Sequence, residues 1–303
     1  MTKLSPHWRA VWQALFVTFL WSTSFVLIKI GLEDIPPLTF AGLRYTLAFL
    51  CLLPPAILRP AHRAAVRALS RRDWGWLILL GVLYYTVTQG TQFVALDRLP
   101  SATVSLFLNF SAVAVAFLGI IWLAERLTGA QWGGVVLSLA GAAVYFYPVD
   151  VPAEQVIGIV AVTIGLLANA VSSILGRFVN RGGAIPPLIV TVISMGVGSA
   201  LMLAGGLIVH GLPALSAASW LIIAALAVVN TAFAFTLWNL SLRTLSAIES
   251  NIINNTMLIQ IAVLAWVFLR EALTAQEIAG LGLAAVGTLI VQLRRRQARP
   301  ATR

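Results

Sequence analysis

The sequence predicts an all-α polytopic membrane protein with ten transmembrane helices, built as two five-helix repeats of inverted topology. Three observations predict it. Only 10% of the 303 residues are charged and 60% are hydrophobic, whereas a soluble globular domain carries about 25% charged residues. Ten apolar stretches, each close to the roughly 20 residues that a helix needs to cross a bilayer, use up most of the chain. Short motifs also recur about half a chain apart.

In chain order the stretches are 11–31, 37–58, 74–95, 100–123, 129–147, 156–178, 187–209, 217–240, 246–269 and 276–293. The first follows Lys3 and Arg9, as the core of a signal peptide would. It stays apolar through Val26 to Ile30 without a small-residue cleavage site, so it reads as a retained span. The connections are short, which leaves no room for a soluble domain. The first repeat occupies 11–147 and the second 156–293, with basic tails at 1–10 and 294–303.

Charge sets the orientation. With both termini cytoplasmic, sixteen basic residues fall inside: Lys3, Arg9, Arg59, Arg63, Arg67, Arg71, Arg72, Arg126, Arg177, Arg181, Arg243, Arg294, Arg295, Arg296, Arg299 and Arg303. Lys29, Arg98 and Arg270 fall outside, and Arg44 lies within a span. This is a strong positive-inside bias, and most acids, Asp150 and Glu154 among them, fall on the outer side. The net charge of +10 therefore lies against anionic headgroups of the membrane lipid, which explains it better than nucleic acid does. The single cysteine, Cys51, and three scattered histidines, His7, His62 and His210, predict no disulfide, no metal site and no cofactor.

Ile35-Pro36-Pro37-Leu38 recurs as Ile185-Pro186-Pro187-Leu188, and Glu125-Arg126-Leu127-Thr128 as Glu271-Ala272-Leu273-Thr274. The offset of the second pair, 146 residues, also aligns Gly134 with Gly280, Leu137 with Leu283, Gly141 with Gly287, and Asn109 with Asn255. A unit with five spans enters the membrane from opposite sides in its two copies. Such inverted repeats are common in secondary transporters, whose halves exchange conformations about a midplane site. Thr128 with Gln131 and Thr274 with Glu277 fit capping boxes, so Glu125 and Glu271 read as structural. The rows Gly129 and Gly133, and Gly280, Ala284 and Gly287, read as close helix packing.

Polar residues within the apolar spans mark the candidate site, because an unpaired polar group in hydrocarbon costs several kcal/mol. The densest run is Glu249-Ser250-Asn251-Ile252-Ile253-Asn254-Asn255-Thr256, followed by Gln260. Asn251 and Asn255 share one helix face, as do their counterparts Ser105 and Asn109. Either they line a cavity or they join helices. Tyr84, Thr88 and Gln92 form a stripe on the third span. The sixth supplies Asn169, with Ser173 and Arg177 on the same face, and the eighth supplies Asn230, Phe235, Trp238 and Asn239. Aromatic rings beside amides suit a small amphipathic or neutral organic solute, although Trp238 is also placed to anchor the span at the interface. Glu249 is the one carboxylate inside a span, which makes it the candidate for proton coupling, or else the start of a helix. Arg44, about two turns below the outer end of its span, either snorkels outward or pairs within the bundle. Lys29 and Arg177, near span ends, snorkel or bind anions.

Trp21-Ser22-Thr23-Ser24-Phe25 with Lys29, Pro36-Pro37 leading to Arg44, and the paired Glu-x-Leu-Thr segments together resemble the drug/metabolite transporter superfamily, specifically its EamA-like members. The resemblance covers nearly the whole chain. It departs at Ser22, where the family often has Gly, and at Ser111 and Met257, where it often has Pro. It implies a ten-helix carrier of small metabolites, often an exporter, and adds Trp21 to the candidate substrate-binding residues. The function expected is secondary transport of amino acids or related amphipathic solutes across the plasma or inner membrane by alternating access. An integral-membrane transferase or hydrolase, or a channel, is the alternative. The only lysines, Lys3 and Lys29, lack the glycines of a phosphate-binding loop, so ATP is not expected as the direct energy source.

Overall fold

The structure, a computed structural model, describes residues 5–123, 127–148, 152–181, 185–211 and 213–293. Glu125, Arg126, Asp150 and the basic tail from Arg294 lie outside the described residues, as do the side chains of Arg181 and Asn239. The described part is helical. Its elements are α1 (Pro6–Leu32), α2 (Pro37–Leu58), a short α3 (Pro60–Arg67), α4 (Arg71–Leu80), α5 (Gly90–Arg98), α6 (Ser101–Asn109), α7 (Ser111–Leu123), α8 (Gly129–Tyr145), α9 (Ala153–Arg181), α10 (Pro187–His210), α11 (Ala217–Ala227), α12 (Ala234–Ser241), α13 (Ala247–Leu269) and α14 (Ala275–Gln292). Helices are the expected solution in lipid, where each backbone group must find its partner within its own segment.

The sequence signals act locally as helix starts. Both Ile-Pro-Pro-Leu motifs place one proline at the N-cap and the next at the first helical position of α2 and α10, where the missing N–H costs nothing. Capping boxes form at Ser70 with Asp73, Thr128 with Gln131, Ser246 with Glu249, and Thr274 with Glu277. Each satisfies two N–H groups that the helix cannot.

Among the described residues, nine helical stretches are long and apolar enough to cross a membrane, one fewer than expected. The stretch that falls short is α8, which has 17 residues. Three of the nine are not regular: the fourth breaks at Phe110 between α6 and α7, and two others contain a π-helical segment. The third passes from α4 to α5 through a π-helical segment, Gly81–Gln89, and the seventh passes from α11 to α12 through another, Val228–Phe233. In both segments a threonine hydroxyl donates to the carbonyl five residues back, Thr88 to Leu83 at 2.9 Å and Thr231 to Leu226 at 2.8 Å. Such segments concentrate at functional sites, and here they fall in matching spans of the two halves.

Two helix pairs pack backbone to backbone through small residues. A methyl on Gly42 would lie 2.5 Å from Leu203 Cα, and one on Gly206 would lie 2.6 Å from Thr39 N, so α2 and α10 run antiparallel in contact. Ala56 at the other end of α2 packs in one cluster with Ile189 and Val192 of α10. Between α8 and α14, a methyl on Gly134 would lie 2.7 Å from the Gly287 carbonyl oxygen, and one on Gly141 would lie 2.7 Å from the Gly280 carbonyl oxygen. The outward surface is apolar, with Ile208, Leu221, Ile121 and Trp266 exposed. In water such a belt would be a liability, but it suits contact with acyl chains.

Candidate functional site

A cavity of about 300 Å³ lies in the middle of the bundle. The two π-helical segments border it, and residues of α1, α2, α5, α6, α7, α9, α12 and α13 complete it. Trp21, Tyr84, Thr88, Gln92, Ser105, Asn109, Asn169 and Asn230, all expected site residues, line this one space. The lining also includes Arg44, Tyr45, Gln89, Phe235 and Asn254, none of which was among the expected substrate-binding residues, although Phe235 and Asn254 fall in the runs that mark the candidate site.

Several of the polar side chains have a traceable anchor. The Asn230 amide nitrogen donates to Thr23 Oγ1 and Ser24 Oγ, both at 3.0 Å, and to the Leu20 carbonyl. This bond set pins the seventh stretch to α1. Tyr45 donates its hydroxyl to Gln89 Oε1 at 2.7 Å, and its ring meets Tyr85 edge to face with centroids 5.5 Å apart. Trp21 forms one aromatic wall, with its centroid 5.3 Å from that of Phe235.

Arg44 is only 6% exposed. Its Nε and one Nη donate to Thr231 Oγ1, each at 3.3 Å. Because Thr231 spends its own proton on Leu226, only its lone pairs face the guanidinium. The Arg44 head also lies 5.1 Å from the centre of the Tyr45 ring, a contact that contributes about 0.5–2 kcal/mol. Among the described residues no carboxylate lies within 4 Å of it. Burying a charge costs several kcal/mol per ion even after relaxation, so a neutral hydroxyl and a ring leave this charge undercompensated.

Asn109 donates to Asn255 Oδ1 at 2.8 Å, and Asn255 donates to the Ala285 carbonyl at 2.9 Å. A carbonyl can only accept, so the direction of this chain is fixed, and Asn109 Oδ1 is left without a donor. Asn255 thus stands behind Asn109 and outside the lining. Asn251 is half-buried and also outside it, and Asn254 takes the place facing the cavity. Trp238, outside the lining, packs its ring against that of Trp21 at a tilt of 50°, with centroids 5.2 Å apart. Gln260 bridges α13 to α1, accepting from Ser22 Oγ at 3.0 Å and donating to Thr18 Oγ1 at 3.3 Å. Glu249 is at the start of α13, away from the cavity. Its Oε2 accepts from Ser246 N and Oγ, both at 2.8 Å, its Oε1 lies 3.2 Å from His7 Nε2, and its side chain is 38% exposed.

Where α1 finishes, a second polar cluster closes the bundle. Glu271 accepts from Ser101 N at 2.7 Å and Ser101 Oγ at 3.1 Å, and lies 3.8 Å from Lys29 Nζ. Lys29 therefore turns to a carboxylate rather than outward. Arg270, the residue before Glu271, has a φ of 58°, the left-handed region that swings the chain back toward α6.

A membrane-spanning helical bundle around a polar central cavity is the architecture of a transporter. The chain belongs to the EamA-like transporter family, whose model matches residues 8–147 and again 156–293, so it is a transporter and not an enzyme, integral to a membrane. It is 26% identical to the uncharacterized transporter YvbV of Bacillus subtilis (strain 168) over 95% of this chain and 93% of that one. It is 32% identical to an S-adenosylmethionine/S-adenosylhomocysteine transporter of Chlamydia trachomatis, over 45% of this chain and 40% of that one. A probable amino-acid metabolite efflux pump of Escherichia coli (strain K12) is also 32% identical, over 43% and 40% of the two chains. The chain thus aligns with less than half the length of these last two relatives. A solved structure titled only "Crystal structure of protein" shares the fold, with a TM-score of 0.66 at 19% identity over 93% of this chain and 96% of that one.

Proposed function

We propose that the protein is a secondary carrier that moves small organic metabolites, amino acids or related amphipathic solutes, out of the cell by alternating access. The halves are an inverted repeat of five spans each, with α8 as the fifth, and both termini are cytoplasmic. The observation that carries this reading is the Asn109–Asn255 hydrogen bond. The two residues are related by the 146-residue repeat offset, and a residue that bonds its own counterpart belongs on the axis that exchanges the halves. The reciprocal contacts Gly134 with Gly287 and Gly141 with Gly280 support the same axis, since the offset turns one pair into the other. Antiparallel packing of matched helices requires that axis to lie in the membrane plane.

A cavity of about 300 Å³ is at the small end of ligand sites, which run to about 1,000 Å³. It favours a solute of amino-acid size over a nucleoside conjugate, and so the precedent of the probable amino-acid metabolite efflux pump over that of the S-adenosylmethionine/S-adenosylhomocysteine transporter. The test is counterflow in proteoliposomes loaded with unlabelled amino acids, amines or sugars in turn. Exchange of label against at least one loaded solute is the expected result. A conductive leak without exchange would favour a channel, and exchange of none would end the carrier reading.

Glu249 bears on coupling. Its carboxylate caps α13 and reaches His7, so we assign it to the helix start and not to a proton relay. Glu249→Gln is then expected to leave solute accumulation driven by a pH gradient within about twofold of the parent. Stability should change little, because a glutamine at this position still closes the capping box with Ser246, as Gln131 does with Thr128. Loss of gradient-driven accumulation with exchange intact would restore the relay.

A further inference from the structure

We infer that Arg44 is the anion-binding residue of the central cavity and that the transported solute carries a carboxylate on it. This rests on the carrier reading above. Arg44 lines the cavity, is 6% exposed, and has no carboxylate within 4 Å among the described residues. Its Nε and one Nη N–H are held by Thr231. The remaining N–H groups of the guanidinium make no protein hydrogen bond among the described residues. A charge kept buried and half-bonded beside a solute cavity calls for a counter-ion that arrives with the solute.

The geometry favours a carboxylate over a phosphate. Arg44 is the one basic residue in the lining, and a single positive charge balances a monoanion while leaving a phosphate dianion half-neutralised. Lys29, the nearest alternative by sequence pattern, is engaged by Glu271 at 3.8 Å. The planar fork of arginine matches the two oxygens of a carboxylate, and Thr231 and the Tyr45 ring hold that fork in place. An N–H group on the same solute, as an amino acid carries, would find the amide oxygens of Gln92, Asn169 and Asn254 across the lining.

Counterflow with three matched sets tests this: L-amino acids, their carboxamides, and the amines left by removing the carboxylate. Phosphorylated amino alcohols form a fourth set. In the parent protein at least one amino acid should exchange, with its amide and amine at least tenfold slower. In Arg44→Gln that preference should shrink to about twofold, because the acid loses its partner while the amide loses little. Arg44→Lys keeps the charge and should keep the preference, with an apparent KM raised several-fold. Elution as a single species in detergent checks the fold of both variants. A purely structural Arg44 would slow acids and amides alike and leave their ratio unchanged, which would overturn the proposal. So would amines, amides, sugars or phosphate esters exchanging as fast as the acids in the parent protein, and that outcome leaves the carrier reading standing. Exchange of nothing in any set, with folded protein, would overturn both.

Discussion

Glu271→Ala is expected to open the bundle where α1 finishes. The α6 helix begins at Ser101 behind Pro100 and has no capping side chain of its own. Glu271 from beyond α13 supplies that cap, at 2.7 Å from Ser101 N, while pairing with Lys29. The two side chains of the pair are 18% and 23% exposed, so the charge is not well screened. Hydrogen bonds to charged groups contribute about 1.5–3 kcal/mol, and all of that contribution belongs to the arrangement in which α1, α6 and the end of α13 meet. At about 1.4 kcal/mol per factor of ten, removing it should shift the balance from closed to open at this end by at least tenfold. The reporter is Ser105→Cys in a Cys51→Ala background, read by its rate of reaction with an impermeant maleimide added on the Lys29 side. That rate should rise tenfold or more in Glu271→Ala. Glu271→Gln should fall between, since its amide oxygen still accepts from Ser101 N but no longer attracts Lys29. An unchanged rate in both variants would mean that another contact seals this end.

The positions of the helices were legible in the sequence because hydrocarbon imposes a length and a composition, and their starts were legible because proline pairs and capping boxes act within one turn. The site was legible in part. Residues spaced four apart on one span, such as Tyr84, Thr88 and Gln92, do line one cavity, since helical spacing alone puts them on a face. Asn251 and Asn255 satisfy the same spacing, yet the face turned to the cavity is that of Asn254. Spacing names a face without saying what the face meets. Arg44 was harder to place. Its alternatives, snorkelling or pairing, differ only in whether Thr231 and Tyr45 stand in reach, and Thr231 is nearly two hundred residues away on a segment wound as a π-helix. No periodicity of the sequence announces that winding. Lys29 was equally ambiguous until Glu271 was found beside it.

Leucine at Gly141 or Gly280 should unfold the protein or nearly so, whereas leucine at Gly133 or Gly282 should not. A methyl on Gly141 would lie 2.5 Å from Ala284 N, and one on Gly280 would lie 2.7 Å from both the Gly141 carbonyl and Tyr145 N. These are backbone atoms of a facing helix, so no rotamer change relieves the clash, and the helices must separate. Overpacking costs about 1–3 kcal/mol even where side chains can adjust, and separation also forfeits the packing that small residues provide in a membrane. Gly133 and Gly282 face open space, with nothing within 4 Å of the added carbon. There leucine replaces the glycine in a helix interior and gains roughly 0.8 kcal/mol of propensity. Thermal unfolding in detergent, followed by the loss of the monodisperse peak, separates the two groups. The repeat adds a sharper condition. The 146-residue offset pairs Gly134 with Gly280 and Gly141 with Gly287, so an axis that exchanges the halves requires each matched pair of leucine variants to lose similar stability. If Gly141→Leu and Gly287→Leu diverge widely while the Gly133 and Gly282 variants stay silent, α8 and α14 are in close contact without being exchanged by that axis, and the symmetry argument for alternating access is left with the Asn109–Asn255 bond alone.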